Sequence, residues 1–498
     1  MIARVKTLAH IGLQVQEITC ECHVMNGIPV FSIVGMADKS IQESRDRVRV
    51  VLKELGNYDE NIFFPFTRIT VNLAPAEIVK KGNQYDIAII LSILSCQGYI
   101  TNEVLDNCFF LGELNLDGSI KKIDNIVSYC LYLNEFYPNC KIYIPSDNME
   151  EASYLTNGNI YSVNNMNEIL DYIRTKKTAV PIQPKLINDS SFTDGSVMFE
   201  EIIGQQLAKR AITICAAGGH NMLMIGEQGC GKTLLSRALQ SILPNLKKEE
   251  LIEVAKIRSL IGTNTSEIMS VIRPFRSPHH TSSMVSLMGG GAKITPGEVT
   301  KAHKGVLFLD ELTEYDKRTL DSLRQPLEDK VINIARASGT VTYPCQFQLI
   351  ATMNPSAKGS FENKKDIQSN SGMKKISGPI LDRFDLQLKM YKPKNIEITN
   401  KIVTSTSELR ESIITALEAQ STRLGEGNKN ANMSITQINE HCTLTPESTL
   451  LLAEYKDSLD LSMRSYHKIL KVSRTIADLE GRTLIGEGDI VEALQFRF

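Results

Sequence analysis

The sequence contains no tryptophan, and aromatic residues make up only 6% of its 498 positions. That scarcity argues against a large base-stacking platform, so contacts with any polyanion would be mainly electrostatic. Long apolar runs are missing as well. The richest, Ile87 to Leu94 (IAIILSIL), is less than half of the roughly 18–20 residues that a membrane-spanning helix needs. No small-residue cleavage site follows the short apolar run of MIARVKTLAHIGL, so a secretory leader is not expected and the cytoplasm is the expected location. Charge of one sign is lacking too: 55 Lys+Arg against 57 Asp+Glu leaves −2, which excludes a uniformly basic coat and leaves only local patches for polyanions. The ten cysteines are scattered, and Cys230 sits inside a glycine-rich loop where a disulfide would be disruptive, so reduced thiols are expected. Cys20, Cys22 and His23 have no second ligand pair at zinc-site spacing, and strand packing is the preferred reading for them.

What is present divides into three blocks. Residues 1–173 alternate short β-type runs (GIPVFSIVG, RITVNLAP, NCFFLGELNL, KIYIPS) with helical ones such as Lys39–Leu55 and Ile123–Phe136, an α/β pattern. Residues 174–195, with two prolines and a Ser/Asn/Asp/Gly cluster, read as a linker. Residues 196–392 carry the apolar strands NMLMIG, GVLFLDE and QFQLIATMNP between helical segments, as a parallel sheet with crossover helices requires. Residues 393–498 turn helical throughout, a lid behind a nucleotide-binding core.

The chemistry begins at Gly226-Glu227-Gln228-Gly229-Cys230-Gly231-Lys232-Thr233, which fits G-x-x-x-x-G-K-[ST] between the strand MLMI and a helix opening with Leu234. Glycines let the backbone wrap phosphates with its N–H groups turned inward, Lys232 reaches the β- and γ-phosphates, and Thr233 offers an oxygen to Mg2+. Roughly one random chain in fifty of this length would contain the motif by chance. The second element removes that ambiguity. Val306-Leu307-Phe308-Leu309 is a buried-type strand ending in Asp310 and Glu311, 77 residues beyond Thr233. Acids at the carboxyl edge of an α/β sheet stand where such sheets bind ligands, Asp310 for the magnesium shell and Glu311 as general base for water. A third strand delivers Asn354 to the same edge, placed to orient the water or touch the γ-phosphate. Arg383, within ISGPILDRFD, suits charge neutralisation on a transferring phosphoryl group, the alternative being an ion pair with Asp382 or Asp385.

These elements in this order resemble the AAA+ ATPases. The finer wording (FRSPHHT, GGGAKITPGEVTKAHKGVLFLDE, ISGPILDRFDL and SMRSYHKILKVSRTIADL) is similar to the YifB/ComM family of magnesium-chelatase-like AAA+ proteins. GIPVFSIVGMADKSIQESRDRVRVVLKELG and RITVNLAPAEIVKKGNQYDIAI carry the likeness into the first block, so it spans nearly the whole chain. The resemblance implies that Gly226 to Thr233 form the Walker A loop, Asp310 and Glu311 the Walker B acids, Asn354 the sensor-1 residue, Arg383 an arginine finger reaching a neighbour's nucleotide, and Arg464 the sensor-2 residue. It implies ATP and Mg2+ as cofactors and a ring, a homo-hexamer. It also implies a pore-facing hairpin at residues 331–345 with Arg336 near its tip, for which a solvated tip is an equal alternative. His279 and His280 lack spaced partners and read as local hydrogen-bonding groups.

The first block resembles the proteolytic domain of Lon proteases, with the ribosomal S5-like fold. The position matching the serine nucleophile holds Gln84, and that matching the lysine base falls at Val127 or Tyr129, so peptidase chemistry is lost and a scaffold or substrate-recruiting collar is expected. Other departures matter. Many relatives carry cysteines after the sensor-1 Asn-Pro, whereas residues 356–375 have none but do have Lys358, Lys364, Lys365, Lys374 and Lys375, which suit a polynucleotide backbone or simply a solvated loop. Leu417 and Glu418 stand where the family usually has an arginine-bearing helix. The function implied is a ring motor acting on single-stranded or branched DNA, by branch migration during natural transformation, alongside recombination proteins. The alternative is a magnesium-chelatase-like or protein-remodelling ATPase. Chelation would need partner subunits, since no metal-ion-dependent adhesion domain is recognisable.

Overall fold

The computed structural model describes residues 2–35, 39–77, 80, 82–174, 179–186, 197–291, 294–336, 339–355, 376–392, 405–458 and 461–497. Residues 356–375, which hold the basic stretch, lie outside the described residues, as do the side chain of Arg336 and most of the expected linker. The chain forms two compact units: 1–188 with 248–270 and 335–341, and the remainder.

The first unit is a seven-stranded mixed sheet in the order β3-β4-β2-β1-β5-β8-β9, from β1 (Ile2–Ile11), β2 (Gln14–Met25), β3 (Val30–Val34), β4 (Arg68–Ala74), β5 (Cys108–Phe110), β8 (Lys141–Pro145) and β9 (Ile160–Val163). A separate two-residue pair, β6 (Glu113–Leu114) and β7 (Ile120–Lys121), sits beside it. β1 and β2 are antiparallel over ten residue pairs, whereas β5, β8 and β9 run parallel to β1 in succession. The apolar run Ile87 to Leu94 becomes the helix Asp86–Cys96, buried along nearly its whole length because it lies on β1 and β2 in the middle of the core. Cys20 and Cys22 alternate with Glu21, so both thiols enter that core; Cys20 Sγ meets Ser92 Oγ at 3.5 Å.

Residues 248–270 lie inside the expected nucleotide-binding block by sequence, yet they pack with this first unit. A cap explains it. The helix Ile126–Phe136 starts at Asn125 in a left-handed conformation with no side-chain cap of its own. Ser259 supplies the missing acceptors, its carbonyl to the Asn125 N–H at 3.0 Å and its hydroxyl to the Val127 N–H at 3.4 Å. The described part of the expected linker is also held here, through Ile182 N–H to Ile160 O at 2.8 Å and Lys185 N–H to Ser153 O at 2.9 Å.

The second unit contains a five-stranded sheet in the order β11-β14-β17-β10-β18, from β10 (Met222–Gly226), β11 (Phe275–Arg276), β14 (Val306–Leu309), β17 (Gln348–Met353) and β18 (Leu386–Met390), with every pairing parallel. A small hairpin accompanies it, β12 (Gly289–Gly290) with β13 (Thr295–Pro296); a further two-stranded pair, β15 (Val331–Arg336) with β16 (Gly339–Pro344), has its residues 335–341 assigned to the first unit. β10, β14 and β17 are buried at every position, which is what a sheet covered on both faces requires.

Helices Thr406–Leu424, Ile435–His441, Pro446–Ser458, Met463–Leu479 and Glu487–Gln495 complete this unit, as the helical pattern of the last block predicts. Their polar keystone is Asp478, whose carboxylate accepts from Arg423 at 2.9 and 2.7 Å, from Asn430 at 2.8 Å and from Arg474 at 3.1 Å. Arg474 and Asp478 are 1% and 2% exposed, so removing the acid strands a guanidinium in a dry interior. Asp478→Ala should destabilise this unit by about 3–5 kcal/mol, lowering its thermal transition by on the order of 10 °C in calorimetry, whereas exposed Glu411→Ala should hardly move it.

A candidate nucleotide-binding edge at the carboxyl ends of the parallel strands

Parallel register builds the site. Ile225 pairs with Met353 and Leu309 with Ala351, so the chain leaves β10, β14 and β17 at one level and on one edge. The loop Gly226 to Thr233 follows β10 and enters the helix Lys232–Ile242. Gly229 and Gly231 take φ of 81° and 94°, backbone that favours glycine, and a Cβ built on either would meet nothing within 4 Å, so the loop is not packed against other groups at these two positions. Gly226 is the opposite case, since a Cβ there would stand 2.7 Å from Met390 O.

Lys232 is buried, and its ammonium donates to Gly226 O at 2.6 Å, Glu227 O at 2.9 Å and Asn354 Oδ1 at 3.2 Å. All three acceptors are neutral. Burial pulls its pKa below the usual lysine value, and Asp310 and Glu311 offset this only in part. A polyphosphate would supply the anion that this cation lacks. Thr233 Oγ1 donates to Asp310 Oδ2 at 2.9 Å, which puts two hard oxygens of the kind Mg2+ prefers side by side. The unpacked loop, the charge-starved lysine and this oxygen pair fit a nucleotide triphosphate with its magnesium.

Glu311 stands at φ 52°, a left-handed conformation uncommon for a residue with a side chain. Its carboxylate is 44% exposed and lies 3.8 Å from His280 Nδ1. His279 bonds Thr281 Oγ1 at 2.8 Å, the local contact expected for it. Sequence reasoning missed Thr352. Its buried hydroxyl donates to Asp310 Oδ1 and accepts the Glu311 N–H at 3.1 Å, so one group orients both acids. A signal was present, because Thr352 is the polar residue two before Asn354 and therefore on the same side of an apolar strand. Gln205 was missed as well; its amide donates to Cys230 O at 3.1 Å and Tyr391 O at 2.5 Å, fixing the loop's flank.

Arg383 pairs neither with Asp382 nor with Asp385 but with Glu328, at 2.8 Å. Arg464 is 73% exposed at the start of the helix Met463–Leu479, 3.8 Å from Asp382. The phosphate-loop edge thus gathers Lys232, Thr233, Asp310, Glu311 and Asn354, while Arg383 and Arg464 share a separate neighbourhood around Asp382.

A parallel sheet with a phosphate loop, paired acids on the neighbouring strand edge and a helical lid defines an ATPase of the AAA+ P-loop class. Three family profiles match along the chain: "Subunit ChlI of Mg-chelatase" over residues 20–148, "Magnesium chelatase, subunit ChlI" over 198–398 and "Magnesium chelatase, subunit ChlI C-terminal" over 403–497. The chain is 35% identical to the competence protein ComM of Haemophilus influenzae, over 100% of its own length and 97% of that protein. It is 34% identical to the uncharacterized protein YifB of Escherichia coli, covering 99% and 96% of the two chains. It is 21% identical to the magnesium-chelatase 38 kDa subunit of Cereibacter sphaeroides, over 59% of this chain and 88% of that one. The chain belongs to the YifB/ComM family of magnesium-chelatase-like AAA+ ATPases.

The Thr352 bridge makes a sharp expectation. Thr352→Val keeps the volume but removes the hydroxyl, taking one partner from Asp310 Oδ1 and leaving the Glu311 N–H with Asp310 Oδ1 alone, at 3.1 Å. ATP turnover should fall roughly 10–100-fold with a raised Mg2+ requirement, and Thr352→Ser should restore most of it. Steady-state hydrolysis across a magnesium titration reads both.

Proposed function

We propose that this protein is a homo-hexameric ring motor that couples ATP hydrolysis to the movement of DNA, driving branch migration on recombination intermediates during natural transformation in the cytoplasm. The observation that carries hydrolysis is the convergence of Lys232, Thr233, Asp310, Glu311 and Asn354 on one sheet edge. DNA as the substrate is supported by likeness along the whole chain to a protein named for competence. In this reading Gly226 to Leu234 hold the triphosphate, and Thr233 and Asp310 hold its Mg2+, which supplies charge neutralisation on the phosphoryl oxygens when bound. Lys232 turns from loop carbonyls to phosphate oxygens. Glu311 takes the proton of the attacking water, and the Asn354 amide, already in contact with Lys232, orients that water or the γ-phosphate. Arg383 completes a neighbour's site, and Arg464 serves as the sensor-2 residue.

The first domain acts in this reading as a non-proteolytic collar. Gln84, at the position matching the nucleophile, donates to the Tyr85 hydroxyl at 3.2 Å, and of Val127 and Tyr129, the two alternatives for the base position, Tyr129 bonds His10 Nδ1 at 2.6 Å. Complete burial holds the Tyr129 hydroxyl far above its ordinary pKa, so it stays protonated and cannot serve as a base. A second reading, a chelatase-like or protein-remodelling motor without DNA, draws on the likeness to the chelatase subunit.

Hydrolysis by the purified full chain, alone and with single-stranded, duplex or branched DNA, separates the two. Stimulation by single-stranded or branched DNA is expected, abolished in Lys232→Ala and Glu311→Gln. DNA affinity should fall steeply between low and moderate salt, because binding is through phosphates. Hydrolysis indifferent to every DNA would remove DNA from the reading and leave the remodeller.

A further inference from the structure

The turn that carries Arg383 is held in an unusual way. It follows the short helix Gly378–Leu381, and the side chain of Phe384 anchors it in the core. Three successive backbone carbonyls in it are each taken by a side chain from elsewhere. The Lys468 ammonium donates to Asp382 O and, at 3.1 Å, to Phe384 O, straddling Arg383. The Asn221 amide donates to Arg383 O at 3.0 Å. Asn221 is itself fixed, because its side-chain oxygen accepts the Leu349 N–H at 2.8 Å and its backbone oxygen accepts the Asp385 N–H at 2.9 Å.

These grips come from two places. Lys468 belongs to the lid helix Met463–Leu479, and Asn221 is the residue just before β10, the strand that leads to the phosphate loop. Next in the chain is Asp385, whose partly buried carboxylate lies 3.4 Å from His220 Nδ1; the other nitrogen of that ring bonds Thr475 of the same lid helix at 2.8 Å. Burial pushes the Asp385 carboxyl up, but His220, Lys468 and Lys471 outweigh it and hold it below the usual carboxylate range. Desolvation makes the Lys468 ammonium costly where it stands, and Arg497 and Arg383 add repulsion that Asp385 and Asp382 oppose. A lysine kept there against that cost suggests a task beyond filling space.

We propose that Lys468 is a positioning residue for Arg383, gripping the backbone on both sides of it and so tying the setting of that arginine to the lid of its own subunit. The proposal rests on the reading that Arg383 completes a neighbour's site. Under it, a lid that shifts with the nucleotide in one subunit carries the turn with it, and the neighbour's phosphoryl transfer is affected through Arg383 without any contact between Lys468 and that nucleotide.

The test is ATP turnover by the full chain with Lys468→Met, Lys468→Arg, Arg383→Ala and the double variant. Lys468→Met should lower kcat roughly 10–100-fold while KM for ATP stays within about twofold, and Lys468→Arg should retain most of the activity. In the Arg383→Ala background Lys468→Met should cost nothing further, because it acts through that arginine. Lys468→Met subunits mixed with Lys232→Ala subunits, which cannot hydrolyse ATP but carry an intact Arg383 turn, should regain turnover. A merely structural lysine would instead add its loss to that of Arg383→Ala and gain nothing on mixing, and either result overturns the proposal. So does wild-type kcat in Lys468→Met. Should that variant melt early, Lys468→Gln is read by the same double-variant and mixing criteria. Full activity in Arg383→Ala would instead overturn the role given to Arg383 itself, a failure distinguishable from that of Lys468.

Discussion

A buried ammonium surrounded by neutral oxygens is the constraint on which the nucleotide edge depends. Lys232 lies beneath the phosphate loop with two loop carbonyls and the Asn354 amide oxygen as acceptors. Among the described residues no carboxylate comes within ion-pair distance of it. A desolvated cation whose nearest acids offset its burial only in part is a standing attraction for an anion, and the loop beside it is unpacked at Gly229 and Gly231. The surrounding sheet keeps this cation from relaxing. β10 cannot shift without breaking its pairing to β17 on one side and β18 on the other, and Gly226 is clasped against Met390.

The two acids are arranged to avoid competing for the same work. Asp310 Oδ1 is occupied by Thr352 and by the Glu311 N–H, whereas Oδ2 accepts from Thr233 and, on the proposed reading, would face the metal. Glu311 is turned out of the strand by its left-handed backbone, so its carboxylate faces solvent instead of following Leu309 into the sheet. Such a conformation costs on the order of 1–3 kcal/mol and persists only where surrounding structure imposes it. The Thr352 hydroxyl is that imposition, since it receives the Glu311 N–H in the one orientation that also lets it donate to Asp310.

How much of this was legible follows from where each signal resides. The phosphate loop and the DE pair are local patterns, and they occupy the edge their spacing implied because parallel register is set by the apolar runs VLFL and QLIATM, both buried throughout. Partners of charged side chains were not legible. Arg383 has two acids within two residues, yet it pairs with Glu328, 55 residues earlier in the chain, a partner that no local pattern could indicate. Thr352 was readable in principle by alternation with Asn354, but a lone threonine in a strand is ordinarily a packing residue. The placement of 248–270 was beyond sequence reasoning, since the helix Ile126–Phe136 gives no hint that Ser259, far along the chain, will cap it.

β10 gives the second unit a mechanical logic. Five residues at about 3.3 Å each make a strut of roughly 17 Å. At its carboxyl end it launches the loop that would hold this subunit's own phosphates. At its entrance, His220 and Asn221 hold Asp385 and the Arg383 carbonyl, and His220 reaches the lid through Thr475. A strand buried on both faces and hydrogen-bonded on both edges neither bends nor stretches appreciably, so a displacement imposed at one end is felt at the other, in contrast to one imposed on a loop. On the proposed reading of Arg383, one rigid element therefore carries the grip on a subunit's own nucleotide at one end and the seat of the arginine offered to its neighbour at the other, with the lid in contact with the second. Asp385, 3.4 Å from His220 Nδ1 and accepting the Asn221 N–H at 3.3 Å, ties the chain that enters β18 to the entrance of β10.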